Sequence, residues 1–157
     1  MKRFRRLLFR APTASALVAL GGVAACSPGP AFTEPVTFGT RVVQPHTLEE
    51  GRDIYNRFCA NCHGLDGTAN TAAARQMDPP PRDLTQALFK HKTSPGNQLP
   101  TDADLIRVIQ HGVPGTGMAA WGHLASTELD AVTQYLKMFS PRWRAGSPAS
   151  ETGSKRP

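Results

Sequence analysis

Cys59-Ala60-Asn61-Cys62-His63 is the stretch on which the reading of this chain turns. A spacing of three puts both cysteine sulfurs on one face of a helical turn. The histidine follows the second sulfur directly, so its imidazole is presented beside that face. A zinc site asks for four ligands, usually with a second Cys/His pair at short spacing, and the chain has only three cysteines. A thioredoxin-like dithiol needs a βαβ setting, which the flanking sequence does not offer. The reading that satisfies the spacing is covalent attachment of one haem c. Cys59 and Cys62 are expected to carry the thioethers, and His63 to ligate the iron.

Outward from this motif, three helices are expected. Thr47-Leu48-Glu49-Glu50 reads as a capping box, with Thr47 as N-cap and Glu50 at the third helical position. It opens a helix that places Leu48, Gly51, Ile54, Tyr55 and Phe58 on one face and runs into Cys59. Thr101-Asp102-Ala103-Asp104 opens a second helix, with Leu105, Val108 and Ile109 inward and a stop near Gly112. Ser126 or Thr127 caps a third, with Leu129, Val132, Tyr135, Leu136 and Phe139 on one face, and Pro141 ends it. No strand-like alternation competes. Between Gly64 and Pro100 helix signals are few, and Pro79-Pro80-Pro81 interrupts the segment. A loop that long implies a function, and wrapping a cofactor is one. The expectation is an all-α domain of about three main helices, with long loops folded around one covalently bound haem.

A second axial ligand is sought among Met77, Met118, Met138, His46, His91, His111 and His123. Met138 falls in the third helix and reads as packing. His111 lies near a helix C-terminus, where the dipole favours it without any metal. His46 and His91 read as surface residues, and Met77, just before the prolines, as packing over the haem edge. Met118 lies in Gly112-Val113-Pro114-Gly115-Thr116-Gly117-Met118-Ala119-Ala120-Trp121, a glycine-rich loop that lets backbone approach a flat cofactor and presents one thioether. Met118 is therefore the expected ligand, with His123 the next choice.

The ends of the chain speak to location. Met1 to Arg10 is basic, and Ala14 to Ala25 is small and apolar, broken only by Ser15. That run is shorter than the roughly 20 residues needed to span a bilayer and reads as an export signal. Val23-Ala24-Ala25-Cys26 resembles a bacterial lipobox, in which the signal is cut before a cysteine that carries lipid. The other reading is an ordinary cleavage site with an incidental cysteine. Residues 1–25 are thus assigned as a lipoprotein signal peptide and 26–45 as a lipidated tether or a packed arm. The haem-binding domain is placed at 46–143 and a disordered tail at 144–157. As an extended proline-rich tether, 27–45 would reach on the order of 60 Å. Val36, Phe38, Val42 and Val43 instead allow its second half to pack.

The formal charge of +6 is concentrated in the signal. Five of the 18 basic residues lie in the first 25, which leaves 13 against 12 acidic residues. Nucleic-acid binding therefore loses its electrostatic basis.

Residues from about Thr47 to Trp143 resemble the class I monohaem cytochromes c. The likeness rests on the helix that ends in Cys59 to Gly64, the Gly-Thr-x-Met loop and a C-terminal helix with Tyr135. Pro80 to Thr85 and Phe139 to Arg142 look like small bacterial membrane-linked members. The resemblance implies that Gly51 and Tyr55 pack against Tyr135. It also implies that a carbonyl within Pro79 to Pro81 accepts the Nδ1 proton of His63. Pro80, Arg82, Trp121 and Tyr55 become candidate haem-pocket residues, with Arg82 and Trp121 facing propionates, or Trp121 simply packing in the core. Family members often have proline after the ligand methionine, where this chain has Ala119. The stretch from Phe89 to Leu99 is also less regular than in the family.

Two functions follow. With His63 and Met118 both on iron, no position is open to a small-molecule substrate. The protein is then a single-electron carrier and not an enzyme, tethered by lipid on the periplasmic side and partnered by membrane redox proteins of a respiratory chain. Alternatively the iron is five-coordinate, or the methionine is labile, as in a peroxidase-like enzyme or gas sensor. A peroxidase would want acid–base groups over the iron, and His111 and His123 are the available ones.

Overall fold

A computed structural model describes residues 31–144. The signal peptide, Cys26 and all but the first residue of the expected tail lie outside them. The architecture is set by two helices crossing face to face, α1 (Pro45–Phe58) and a later helix, α4 (Ser126–Leu136), which make the most extensive helix contact. Gly51 is what lets them close. A Cβ there would fall onto the carbonyl oxygen of Ala131 and come within 2.8 Å of the Tyr135 Cβ. Tyr55, one turn on, packs its ring 5.5 Å from that of Tyr135 and 4.9 Å from Phe139.

α1 starts three residues earlier than its capping box implied. Pro45 occupies the first turn, and the Gln44 carbonyl accepts from the backbone N–H of Thr47 and Leu48 at 3.1 and 3.3 Å. Thr47 is thus inside the helix and is not its N-cap. Proline's fixed φ and missing N–H suit the first helical position, and here that preference overrides the hydroxyl cap. After Cys59 a single further turn, α2 (Ala60–His63), carries the rest of the pentapeptide. α3 (Asp102–His111) is capped as its sequence implied. Asp104 N–H donates to Thr101 Oγ1, and the Asp104 carboxylate accepts from Thr101 N–H, both at 3.1 Å. At α4 the N-cap is Ala125, whose N–H donates to the Glu128 carboxylate at 2.7 Å, in place of Ser126 or Thr127.

A β-hairpin that the sequence did not announce precedes α1. β1 (Val36–Phe38) and β2 (Arg41–Val43) pair antiparallel, with Val36 opposite Val43 and Phe38 opposite Arg41. Phe38 and Val43 are buried with Leu48, Leu105 and Trp143 in one of two apolar clusters. The other, around Tyr55, Ile54, Leu84, Ile109, Leu129 and Val132, lies between α1, α3 and α4. Phe32 also packs, edge-on to Tyr135 at 6.3 Å and beneath the Arg52 guanidinium at 5.6 Å. The second half of residues 26–45 is therefore part of the folded body.

A charged cluster locks hairpin, α3 and α4 together. Arg41 pairs with Asp130 at 2.6 Å and Asp102 at 3.1 Å. Lys137, with only 4% of its side chain exposed, pairs with Asp102 at 2.6 Å and donates to Gln134 Oε1 at 2.8 Å. Its ammonium also lies 5.5 Å from both the Phe38 and Trp143 rings.

The segment from Gly64 to Pro100 has one 3-10 turn, Ala74–Gln76, and is otherwise irregular. Distant groups give it shape. Leu84 N–H donates to the Gly67 carbonyl at 2.8 Å and buries its side chain. Arg142, just after α4, donates to the carbonyls of Ala87 at 2.6 Å and Asn97 at 2.5 Å. These bonds let a loop this long keep one path, because buried backbone carbonyls need donors.

Candidate haem site

α1 delivers Cys59 at its C-terminus, where its N–H still donates to the Tyr55 carbonyl at 2.8 Å. The Cys59 carbonyl in turn accepts from Cys62 N–H at 3.1 Å and His63 N–H at 2.9 Å. Both thiols and the imidazole are thus held on one turn, half-buried. Neither cysteine is in a disulfide. Burial, reinforced by Cys62, pushes the Cys59 thiol up to about 11.

Gly64 ends the turn with φ of +79°, a left-handed conformation that side chains resist. Its carbonyl is buried and accepts from the Tyr55 hydroxyl at 2.6 Å. Burial raises the Tyr55 phenol well above its usual range, so it remains a donor. Tyr55 thereby ties the helix crossing to the end of the cysteine motif.

The His63 ring has one nitrogen engaged. Nδ1–H donates to the Arg82 carbonyl at 2.9 Å, which leaves Nε2 for a metal. Burial lowers the imidazole's pKa, against the opposing pull of that carbonyl, and so favours the neutral ring that a metal needs. The expectation had placed the acceptor within Pro79 to Pro81, and the structure places it one residue beyond. Proline fixes φ but not ψ, so the run does not by itself register which carbonyl faces the ring. Pro80 and the Arg82 side chain are exposed.

The Met118 loop is closed on itself. Val113 N–H donates to the Met118 carbonyl at 3.1 Å, Thr116 Oγ1 to the Val113 carbonyl at 2.8 Å, and Met118 N–H to Thr116 Oγ1 at 3.1 Å. Gly112, at φ of +66°, sits so close beneath it that a Cβ would lie 2.5 Å from the Met118 carbonyl oxygen. Trp121 donates its backbone N–H to Ile109 at 3.0 Å and packs its ring 5.0 Å from Phe58. His123 is exposed and flanks the same pair, 6.2 Å from Phe58 and 5.7 Å from Trp121. His46, His91 and His111 are exposed as well, and Met138 is half-buried against the hairpin cluster.

Two thiols on one turn and an imidazole with Nε2 free make a donor set that fits haem c, and half-buried Phe58, Phe89, Trp121, Leu136 and Phe139 pack against the same apolar cluster as Cys59. A profile of the family described as cytochrome C oxidase, cbb3-type, subunit III matches residues 46–136.

The chain belongs to this family.

It is a monohaem class I cytochrome c that binds haem covalently, and its mostly helical fold agrees with that class. Among solved structures, a chain of the Kuenenia stuttgartiensis reducing HAO-like protein complex Kustc0457/Kustc0458 matches with a TM-score of 0.60 and 36% identity, over 69% of this cytochrome and 50% of that chain. The cytochrome therefore spans half the length of that neighbour. The KustC0563 c-type cytochrome matches with a TM-score of 0.44 and 25% identity, over 57% of this chain and 96% of that one. No curated protein matches.

Sequence reasoning passed over several residues that shape the site of this cytochrome. Arg142 supports the loop that carries Arg82, and Thr71 Oγ1 sits 3.4 Å from the Cys62 carbonyl it donates to. Gly67 gives its bare Cα to the Phe139 ring, 2.7 Å from where a Cβ would stand. The resemblance contained a signal for Arg142, since Phe139 to Arg142 was part of it, but not for its role.

Proposed function

We propose that this cytochrome is a single-electron carrier whose iron is held by His63 and Met118. Its N-terminal signal exports it, and lipid on Cys26 holds it at the periplasmic face of a membrane. There it exchanges electrons with redox proteins of a respiratory chain. The observation that carries the reading is the bond from His63 Nδ1–H to the Arg82 carbonyl, 2.9 Å long, on the turn that holds both cysteines. It fixes ring and tautomer together, which is what a permanent axial ligand requires. Haem bound there supplies a one-electron Fe(III)/Fe(II) couple, and a thioether ligand favours the reduced state. The family description names an oxidase subunit, and the solved neighbour belongs to a reducing HAO-like protein complex, which supports protein partners over a soluble substrate.

Packing from Phe32 onward changes the expected tether. Five residues lie between Cys26 and Phe32, six Cα steps in all, so even a fully extended chain spans only about 20 Å. A carrier so held stays next to the membrane, where its effective concentration for membrane partners is high.

Three measurements test the reading. The oxidised protein should show the weak red absorption band of a methionine–iron bond, and the reduced protein should bind CO slowly. Met118→His should lower the potential, and an unchanged potential removes Met118 from the iron. Cys26→Ser should release a soluble protein with a normal haem spectrum, and retention in membranes refutes the lipid anchor.

A further inference from the structure

Met77 lies far from Met118 in sequence, yet the two segments meet. Gly117 directly precedes Met118, and a Cβ at Gly117 would stand 3.0 Å from Met77 Sδ and 3.5 Å from its Cγ and Cε. The Met77 thioether therefore occupies the space that a side chain at 117 would fill. The bonds inside the Met118 loop run to Val113 and Thr116, on the side toward Gly112. Across Gly117, packing against Met77 is a restraint from outside the loop.

Met77 is itself held from the cysteine side. Its N–H donates to the Ala74 carbonyl at 3.2 Å, closing the 3-10 turn. Ala74 N–H donates to Thr71 Oγ1 at 2.9 Å, and that hydroxyl donates to the Cys62 carbonyl. Ala69 N–H, a little earlier, donates to the His63 carbonyl at 2.8 Å. A short chain of bonds thus leads from the Cys62-His63 turn to a thioether resting on the residue before Met118. Met suits this place because its unbranched, polarizable chain follows an irregular surface.

We propose that Met77 is a positioning residue for Met118. Seated on Gly117, it couples the loop that carries Met118 to the turn that carries His63, and so resists movement of the Met118 thioether off the iron. This rests on the reading of Met118 as ligand.

The test uses the full-length holoprotein in detergent. The oxidised form is heated while its red methionine–iron band is followed, and CO binding to the reduced form is timed. Met77→Ala should raise the off-iron fraction roughly tenfold, the ratio that corresponds to about 1.4 kcal/mol. The band should bleach at lower temperature, and CO should bind roughly tenfold faster. Met77→Leu, which keeps the bulk, should restore both readouts. Gly117→Ala should mimic Met77→Ala by pushing the thioether away, and the double variant should be less impaired than the two single effects combined. Wild-type band stability and CO rate in Met77→Ala, or simple addition in the double variant, overturns the proposal. If Met77→Ala yields no holoprotein, Met77→Leu and Gly117→Ala decide it in the same way. A band that survives in Met118→His but vanishes in Met77→Ala would make Met77 the ligand and overturn it too. Failure of the Met118 reading itself shows separately, as an unchanged potential in Met118→His.

Discussion

Gly51→Ala is the substitution that most directly probes how the fold holds the haem-binding turn. The added methyl group would stand 2.7 Å from the carbonyl carbon of Ala131 and 2.8 Å from the Cβ of Tyr135. Ordinary contact begins at 3.4 Å, so clearing the carbonyl carbon alone parts α1 and α4 by about 0.7 Å, and clearing the still closer carbonyl oxygen parts them further. Neither obstacle is a flexible side-chain tip that could swing aside. Overpacking of this kind costs roughly 1–3 kcal/mol. Opening a gap of 0.5–1 Å also forfeits about a quarter to a half of each dispersion contact along the seam, where Tyr55 and Val132 are fully buried. Because both obstacles are backbone or Cβ atoms and the seam's contacts loosen as well, the cost falls at or just above the top of that range, about 3–4 kcal/mol. Alanine's better helix propensity returns about 1 kcal/mol, leaving a net loss of about 2–3 kcal/mol. The assay is guanidinium unfolding of the holoprotein followed by far-ultraviolet circular dichroism, with Asn56→Ala on the exposed face of α1 as control. The control should stay within about 0.5 kcal/mol of wild type. A Gly51→Ala protein as stable as the control would refute the close crossing.

Tyr55→Phe removes the 2.6 Å bond to the buried Gly64 carbonyl and should cost about 1–3 kcal/mol by the same unfolding assay. Lys137→Ala strips the buried cation from Asp102 and Gln134 and should cost about 3–5 kcal/mol, whereas Lys137→Met, which keeps the apolar volume, should cost much less. In acid, burial works to raise the Asp102 carboxyl, but hydrogen bonds from Lys137 and Gln134 with the charges of Lys137 and Arg41 outweigh it and leave the pKa low. Asp104 is lowered further, where N–H groups, the Thr101 hydroxyl and Arg107 overcome its burial. Carboxyls depressed in the fold add stability above their unfolded pKa near 4, and that stability is lost as pH falls toward the folded values. Thermal melts should therefore weaken progressively below pH 4, and in Asp102→Asn the weakening should be shallower; an equal acid slope in that variant would remove Asp102 from the account.

How much was legible in the sequence depended on how far each cause lay from its effect. The cysteine–histidine turn and the Thr101–Asp104 box are local, because spacing over a few residues fixes the geometry. At the start of α1 two local signals compete, Pro45 and Thr47, and nothing nearby says which prevails. Val36, Phe38, Val42 and Val43 signalled packing but not strands, because three-residue strands are too short to show alternation and the hairpin rests on Phe38 and Val43 packing with distant Leu105 and Trp143. Lys137 and Arg142 look like surface cations on and just beyond an amphipathic helix. Their anchoring depends on acceptors 35 and 55 residues away, at Asp102 and Ala87. Arg82 marks the deepest limit. Its charged side chain drew attention as a haem-pocket candidate, but what it gives His63 is a backbone carbonyl. Every residue has one, so no choice of side chain could have signalled it. The path of the chain after the prolines selects the acceptor, and Arg142 helps to hold that path from the far end of the domain. A site whose ligand is oriented by backbone is therefore readable from sequence at its cysteines and histidine, and at their supports only once the loop has a shape.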